Sequence, residues 1–273
     1  MFKAKNYTFE LGKKTYIMGI LNVTDDSFFD GGKYNSPQKA LEHTKAMLKE
    51  GADVIDIGAQ STRPGHKKIT EEDELNIIKQ YLPYIFNETN AVISVDTFYP
   101  SVAEYALQNG AAIINDVSGK GSEEMALIVK KYNAGWIIMH TGGGSSAMVP
   151  EYKNGILTDV KEFFEKTKKQ CAELGLSPNQ IMLDVGIGFG KTTEQSIEIL
   201  KNLSILKSDC ALMMALSSKR IVGETTNTEG IDRLYGTISA NTLSVVNGAD
   251  FIRVHNVKEN ALALKMVDAI VRG

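Results

Sequence analysis

Cysteine is scarce, with two in 273 residues, Cys171 and Cys210. Their spacing fits no metal or redox pattern, so the expectation is a pair of reduced thiols. Basic charge is not in excess either: 30 Lys and Arg stand against 33 Asp and Glu, a net charge of -3. That argues against a nucleic-acid partner, which needs a strongly basic face. No apolar run approaches the ~20 residues of a membrane span. The opening segment, MFKAKNYTFELGKKTYIMG, has no uncharged apolar stretch of the secretory kind. These absences lead to the expectation of a cytoplasmic protein with no membrane partner.

No low-complexity linker divides the chain, so one domain over residues 1–273 is expected. The loosest stretch, Thr141 to Ser146, follows a strand-like run and reads as a loop. Two nucleotide-binding signatures are also missing. No glycine-rich phosphate turn follows the first strand, which ends in Asn22-Val23-Thr24. Gly186 to Lys191 is glycine-rich but lacks P-loop spacing, so its glycines read as a tight turn beside a ligand.

What is present is a rhythm. Short Ile- and Val-rich runs at Tyr16 to Leu21, Val54 to Gly58, Ala91 to Val95, Ala112 to Ile114, Trp136 to Met139, Ile181 to Leu183, Leu212 to Leu216 and Phe251 to Val254 read as strands buried on both faces. Helical spacing lies between them, marked by Ala40, Ala46 and Leu48, by Leu75, Ile78 and Leu82, by Val102, Ala106 and Leu107, by Phe163, Phe164, Thr167 and Cys171, and by Leu262, Met266 and Ile270. Gly51, Gly110, Gly175 and Gly248 read as helix-ending glycines. The alternation at Phe2, Ala4, Tyr7 and Phe9, followed by Gly12 and Lys13 and then Tyr16, predicts a short hairpin leading into a strand. Eight strand–helix units imply an α/β protein, a (β/α)8 TIM barrel with a short N-terminal β-hairpin. An open doubly wound sheet is the rival.

In such a barrel the C-terminal strand ends meet on one face, where ligands bind. Here those ends carry Asn22, Asp96, Asn115, Asp116, His140, Asp184, Ser217 with Lys219, and Arg253 with His255, while Thr62 and Arg63 follow the second strand. Asp116, followed by Val117 and Ser118, reads instead as a helix N-cap. Asp96, Asn115 and Asp184 offer acceptors and one amide, which suits a flat, nitrogen-rich heterocycle with an amino-pyrimidinone edge. Arg63, Arg253, His255 and Asn22 suit a phosphate or diphosphate.

Taken together, Met18 to Thr24, Asp56-Ile57-Gly58, Ser61-Thr62-Arg63-Pro64-Gly65, Ser94-Val95-Asp96-Thr97, Ile114-Asn115-Asp116-Val117, Met139-His140, Gly186 to Lys191 and Arg253-Val254-His255 resemble the dihydropteroate synthase family. The resemblance runs from the first strand to the last. It implies a (β/α)8 barrel that joins 4-aminobenzoate to 6-hydroxymethyl-dihydropterin diphosphate with Mg²⁺. It implies that Asp96, Asn115, Asp184 and Lys219 hold the pterin. Asn22, Arg63, Arg253 and His255 would hold the diphosphate, with Asn22 at the metal, and Thr62 and Ser217 would frame the aminobenzoate. Asp96, Lys219 and Arg253 are then the candidate catalytic residues. Gln60, Val185, Asp25, Thr141 and the Ser217-Ser218-Lys219-Arg220 run depart from the family pattern. Those departures keep two alternatives open, a pterin-binding paralogue without turnover and a methyltetrahydrofolate-dependent methyltransferase. The C-terminal Leu262, Leu264, Met266 and Val267 allow a homodimer or simply cover the barrel.

Overall fold

Hydrogen bonding joins the eight apolar runs into a ring. The computed structural model describes residues 1–23, 36–60, 69–145 and 148–273. Strands β1 (Phe2–Ala4) and β2 (Tyr7–Phe9) form an antiparallel hairpin. The strands β3 (Tyr16–Asn22), β4 (Val54–Gly58), β5 (Val92–Asp96), β6 (Ile113–Asp116), β7 (Gly135–Met139), β8 (Ile181–Asp184), β9 (Ala211–Met214) and β10 (Phe251–Val254) then pair in parallel, each with the next, and β10 closes on β3. The expected TIM barrel with its N-terminal hairpin is what forms, and the open sheet is excluded.

Helices α1 (Pro37–Glu50), α2 (Glu71–Glu88), α3 (Pro100–Gln108), α4 (Glu123–Lys131), α5 (Ile156–Glu173) and α6 (Thr193–Lys201) follow β3 to β8 in turn. Two, α7 (Arg220–Thr226) and α8 (Arg233–Val246), separate β9 from β10, and α9 (Val257–Val271) follows β10. Their starts are chemically marked. Ser36, Thr70, Ser122 and Thr192 each accept a backbone N–H from the first turn. The four helix-ending glycines all have φ between 81° and 113°, a left-handed backbone that costs other residues energy.

Two helix faces differ from the periodicity reading. In α1 the buried residues are Ala40, Leu41, Thr44 and Met47, while Ala46 is exposed. Thr44 takes a core position because its hydroxyl is satisfied by the Ala40 carbonyl one turn back. In α9 the buried residues are Val257, Asn260, Leu264 and Val267, whereas Leu262, Met266 and Ile270 are 65%, 65% and 71% exposed. The apolar stripe visible in the sequence is the outward one.

Along every strand the side chains alternate between two packed regions. Ile17, Ile55, Ile57, Ile93, Val95, Ile114, Trp136, Ile138, Leu183, Leu212, Ile252 and Val254 face the helices. Met18, Val54, Ile113, Ile137, Met182, Ala211 and Phe251 fill the barrel with Phe2, Ala4 and Phe9 of the hairpin. Phe251 is packed against three aromatic rings, Phe2, Phe9 and Tyr16, at centroid distances of 5.0–5.7 Å. The hairpin therefore plugs the N-terminal end of the barrel.

Candidate active site at the barrel mouth

Two residues above that apolar layer, the same inward-facing register turns polar. Val54 is followed in register by Asp56, Val92 by Ser94 and then Asp96, Ile113 by Asn115, Met182 by Asp184, and Phe251 by Arg253. Met18 leads, four residues on, to Asn22. Alternation therefore brings Asn22, Asp96, Asn115, Asp184 and Arg253 together at one mouth and adds Asp56 and Ser94, which sequence reasoning left out of the site. The available signal was a carboxylate inside an otherwise apolar strand, Val-Ile-Asp-Ile-Gly.

The neighbours are tightly bonded. Arg253 Nε donates to Asp56 Oδ2 at 2.7 Å, and its Nη2 donates to Asp96 Oδ2 at 3.0 Å. Asn115 Nδ2 donates to the same Asp56 oxygen at 3.0 Å. Asp56 thus fixes both the guanidinium and the amide. Three buried polar atoms, Asp56 Oδ1, Asn115 Oδ1 and Ser94 Oγ, have no hydrogen-bond partner among the described residues. Such groups are costly to leave unmade inside a protein, and together they mark a place for a polar ligand.

Asp184 accepts the Gly186 N–H at 2.8 Å. Lys219 Nζ donates to the Ile187 carbonyl at 2.6 Å and stands 5.1 Å from the centre of the Phe189 ring. Burial pushes the Asp96 carboxyl upward against the pull of Arg253, and pushes Asp184 upward against the pull of Lys219. Desolvation draws the Lys219 ammonium down to about 8. These opposed charges sit in a low-polarity mouth, where each interaction is stronger than in water. At the rim, Ser217 Oγ lies 3.0 Å from His255 Nδ1 and accepts the His255 backbone N–H at 3.1 Å.

Other strand-end residues face away. Asp116 and His140 fall in the outward register. Asp116 Oδ1 accepts the Ser118 N–H at 2.8 Å, closing a local turn rather than the helix N-cap expected of it, because α4 starts later and is capped by Ser122. The buried His140 ring pairs through Nε2 with Asp159 Oδ1 of α5 at 2.7 Å. Thr62 and Arg63 lie outside the described residues.

A model of the pterin binding enzyme family matches residues 18–255, the span from the first barrel strand to the last. The chain belongs to that family. It is 40% identical over 270 residues to the dihydropteroate synthase of Clostridium beijerinckii, covering 97% of each chain. The crystal structure of a dihydropteroate synthase from Clostridium difficile in the presence of pteroic acid superposes with a TM-score of 0.91, at 40% identity over 97% of this chain and 100% of that one. The Xanthomonas albilineans dihydropteroate synthase with 4-aminobenzoic acid gives 0.87, at 32% identity over 95% and 94%. Within the pterin binding enzymes, then, the chain is of the dihydropteroate synthase kind, a transferase of folate biosynthesis.

Proposed function

We propose that the mouth condenses 4-aminobenzoate with 6-hydroxymethyl-7,8-dihydropterin diphosphate, giving 7,8-dihydropteroate and pyrophosphate. The observation that supports this most is the set of orphaned polar atoms on Asp56, Ser94 and Asn115, lying one layer above an apolar floor and beside Asp96, Asp184 and Arg253. A flat heterocycle with an amino-pyrimidinone edge satisfies such a set. Asp96, Asn115, Asp184 and Lys219 hold the pterin in this reading. Arg253, His255 and Arg63 hold the diphosphate, and Ser217 with Thr62 frames the aminobenzoate.

The arylamine nitrogen attacks the pterin methylene, forming the C–N bond as the C–O bond to the diphosphate breaks, and the proton it sheds passes to the departing pyrophosphate or to water. The arylamine is a modest nucleophile that needs no strong base. The difficulty lies in C–O cleavage, which leaves positive charge at the methylene and negative charge on the departing pyrophosphate. Asp96 stabilises the first. Arg253, already held by Asp56 and Asp96, stabilises the second.

Mg²⁺ fits the donor chemistry at Asn22. The Asn22 Oδ1 atom stands beside Gly58 and Asp96, where a β-carbon on Gly58 would come within 3.5 Å of it. An amide oxygen is a hard ligand, and Mg²⁺ in such sites takes most of its remaining ligands from substrate phosphate and water. Bound there, the ion supplies neutralisation of the leaving group.

The exposed stripe Leu262, Met266 and Ile270 on α9, beside Leu243 and Val246 on the adjoining α8, supports a homodimer through these helices. Two free, buried cysteines support a reducing, cytoplasmic setting.

Pyrophosphate release from the pterin diphosphate with Mg²⁺, measured with and without 4-aminobenzoate, tests the reading. Release that depends on aminobenzoate is expected. Asp96→Ala should lose about 2–4 kcal/mol of pterin affinity, as expected for buried charge-assisted bonds. Tight pterin binding with no release would instead make the chain a binding paralogue.

A further inference from the structure

Lys191 ends the glycine-rich run after β8 but does not enter the mouth. Its side chain is 1% exposed. A buried ammonium has three N–H donors and needs three acceptors. Lys191 Nζ finds them in backbone carbonyls alone: His140 at 3.0 Å, Gly186 at 3.1 Å and Phe189 at 2.9 Å. Among the described residues no carboxylate stands within ion-pair distance of it.

Those carbonyls come from the end of β7 and from both ends of the 186–189 turn. The turn carries three glycines, Gly186, Gly188 and Gly190, with φ of 66°, 82° and 61°, and glycine restrains its own backbone least of all residues. At Gly186 the backbone approaches so closely that a β-carbon would lie 2.0 Å from the His140 carbonyl oxygen. The ammonium therefore draws the turn onto β7. On the other side of the same turn, the Ile187 carbonyl receives Lys219 Nζ at 2.6 Å, and the Phe189 ring lies beside that ammonium. One lysine grips the turn from behind and the other leans on it from the mouth.

We infer that Lys191 is a positioning residue for the reaction: its caged ammonium sets the turn that places Lys219 against the pterin. The inference rests on the pterin role proposed for Lys219 and goes beyond it, because Lys191 touches no substrate. A lysine that merely stabilised the fold would affect melting and leave ligand affinity of the folded protein alone.

The test is a double-mutant cycle on the full chain. Binding of 6-hydroxymethylpterin is followed by its fluorescence in the unsubstituted protein, Lys191→Met, Lys219→Ala and the double variant, with melting temperature recorded for each. Lys191→Met is expected to weaken binding tenfold or more by itself, and by less than about twofold when Lys219 is already alanine, because contacting residues couple. Unchanged affinity in Lys191→Met overturns the inference. So does an equal loss in both backgrounds, which would mean that Lys191 acts on the site independently of Lys219. If Lys219→Ala binds like the unsubstituted protein, the pterin role of Lys219 falls and this inference falls with it, an outcome visible from that single variant alone. Should Lys191→Met not fold, Lys191→Gln, which keeps two of the three donors, takes its place in the same cycle with the same outcomes.

Discussion

Glu74 is a carboxyl on the first turn of α2, 1% exposed, with the Thr97 side chain beside it but neither oxygen in a well-formed hydrogen bond among the described residues. Burial pushes its pKa from 4.5 up to about 7. The folded state therefore holds this proton more tightly than the unfolded chain does. Its contribution to stability is complete below pH 4.5 and is lost as pH rises toward 7. Replacing it with glutamine removes that loss while keeping the shape. Glu74→Gln should gain on the unsubstituted protein progressively between pH 5 and 8, by up to about 3 kcal/mol. Urea melts at a series of pH values check this, and parallel curves for the two proteins would mean that Glu74 stays charged throughout. Asp56 shows how differently a buried carboxylate behaves when it is used. One of its oxygens holds Arg253 and Asn115 in place, and the other has no partner among the described residues.

At the scale of elements, the hairpin of β1 and β2 carries weight out of proportion to its length. Phe2 is fully buried against Phe9 and Phe251 and comes so near β7 that only glycine fits at position 135. Phe2→Ala should cost about 3–5 kcal/mol by leaving a cavity in the barrel floor. Chemical denaturation measures that loss directly, and a change under 1 kcal/mol would show that the hairpin only rests on the barrel. The strands themselves were legible from sequence because all eight are short, apolar and bounded by turn residues. The helix faces were less so. Thr44 is buried and Ala46 exposed in α1, because an apolar pattern names candidates while the barrel decides which side of the helix it touches. The site was legible as a set of strand-end residues. The choice of Asn115 over Asp116 was legible too, and the alternation of β6 gives its reason, turning Asn115 inward with Ile113 and Asp116 outward. Asp56 was visible in the sequence, but its importance rests on Arg253, 197 residues away. Lys191 passed as the tail of a glycine loop because its acceptors are backbone carbonyls, which no side-chain motif records.

For the whole molecule, the exposed apolar residues of α8 and α9 are the feature that bears on assembly. Leu262, Met266 and Ile270 recur every four residues and so share one face of α9. Leu264 and Val267, on the other face, cover the barrel. Light scattering should give the mass of two chains at micromolar concentration, and Leu262→Glu with Met266→Glu should return the mass of one, with the barrel still folded. A single-chain mass for the unsubstituted protein would remove the homodimer. The family match and the likeness to dihydropteroate synthases both run through the entire barrel, so the departures at Gln60, Val185 and Arg220 sit in a framework that is otherwise intact. Val185 is fully buried, and the backbone after it still turns as the site requires, with the Gly186 N–H bonded to Asp184.

The aromatic plug under the barrel governs traffic. With the floor shut by Phe2, Phe9 and Phe251, a molecule resting as proposed on Asn115 and Asp56 is closed off from below among the described residues, and it shares the mouth with whatever settles above it. If the pterin sits as proposed, it should go in ahead of its arylamine partner, and 4-aminobenzoate should bind poorly until pterin is present. On the same reading the joined product, with its pterin half lowest, backs out along the path by which both halves arrived.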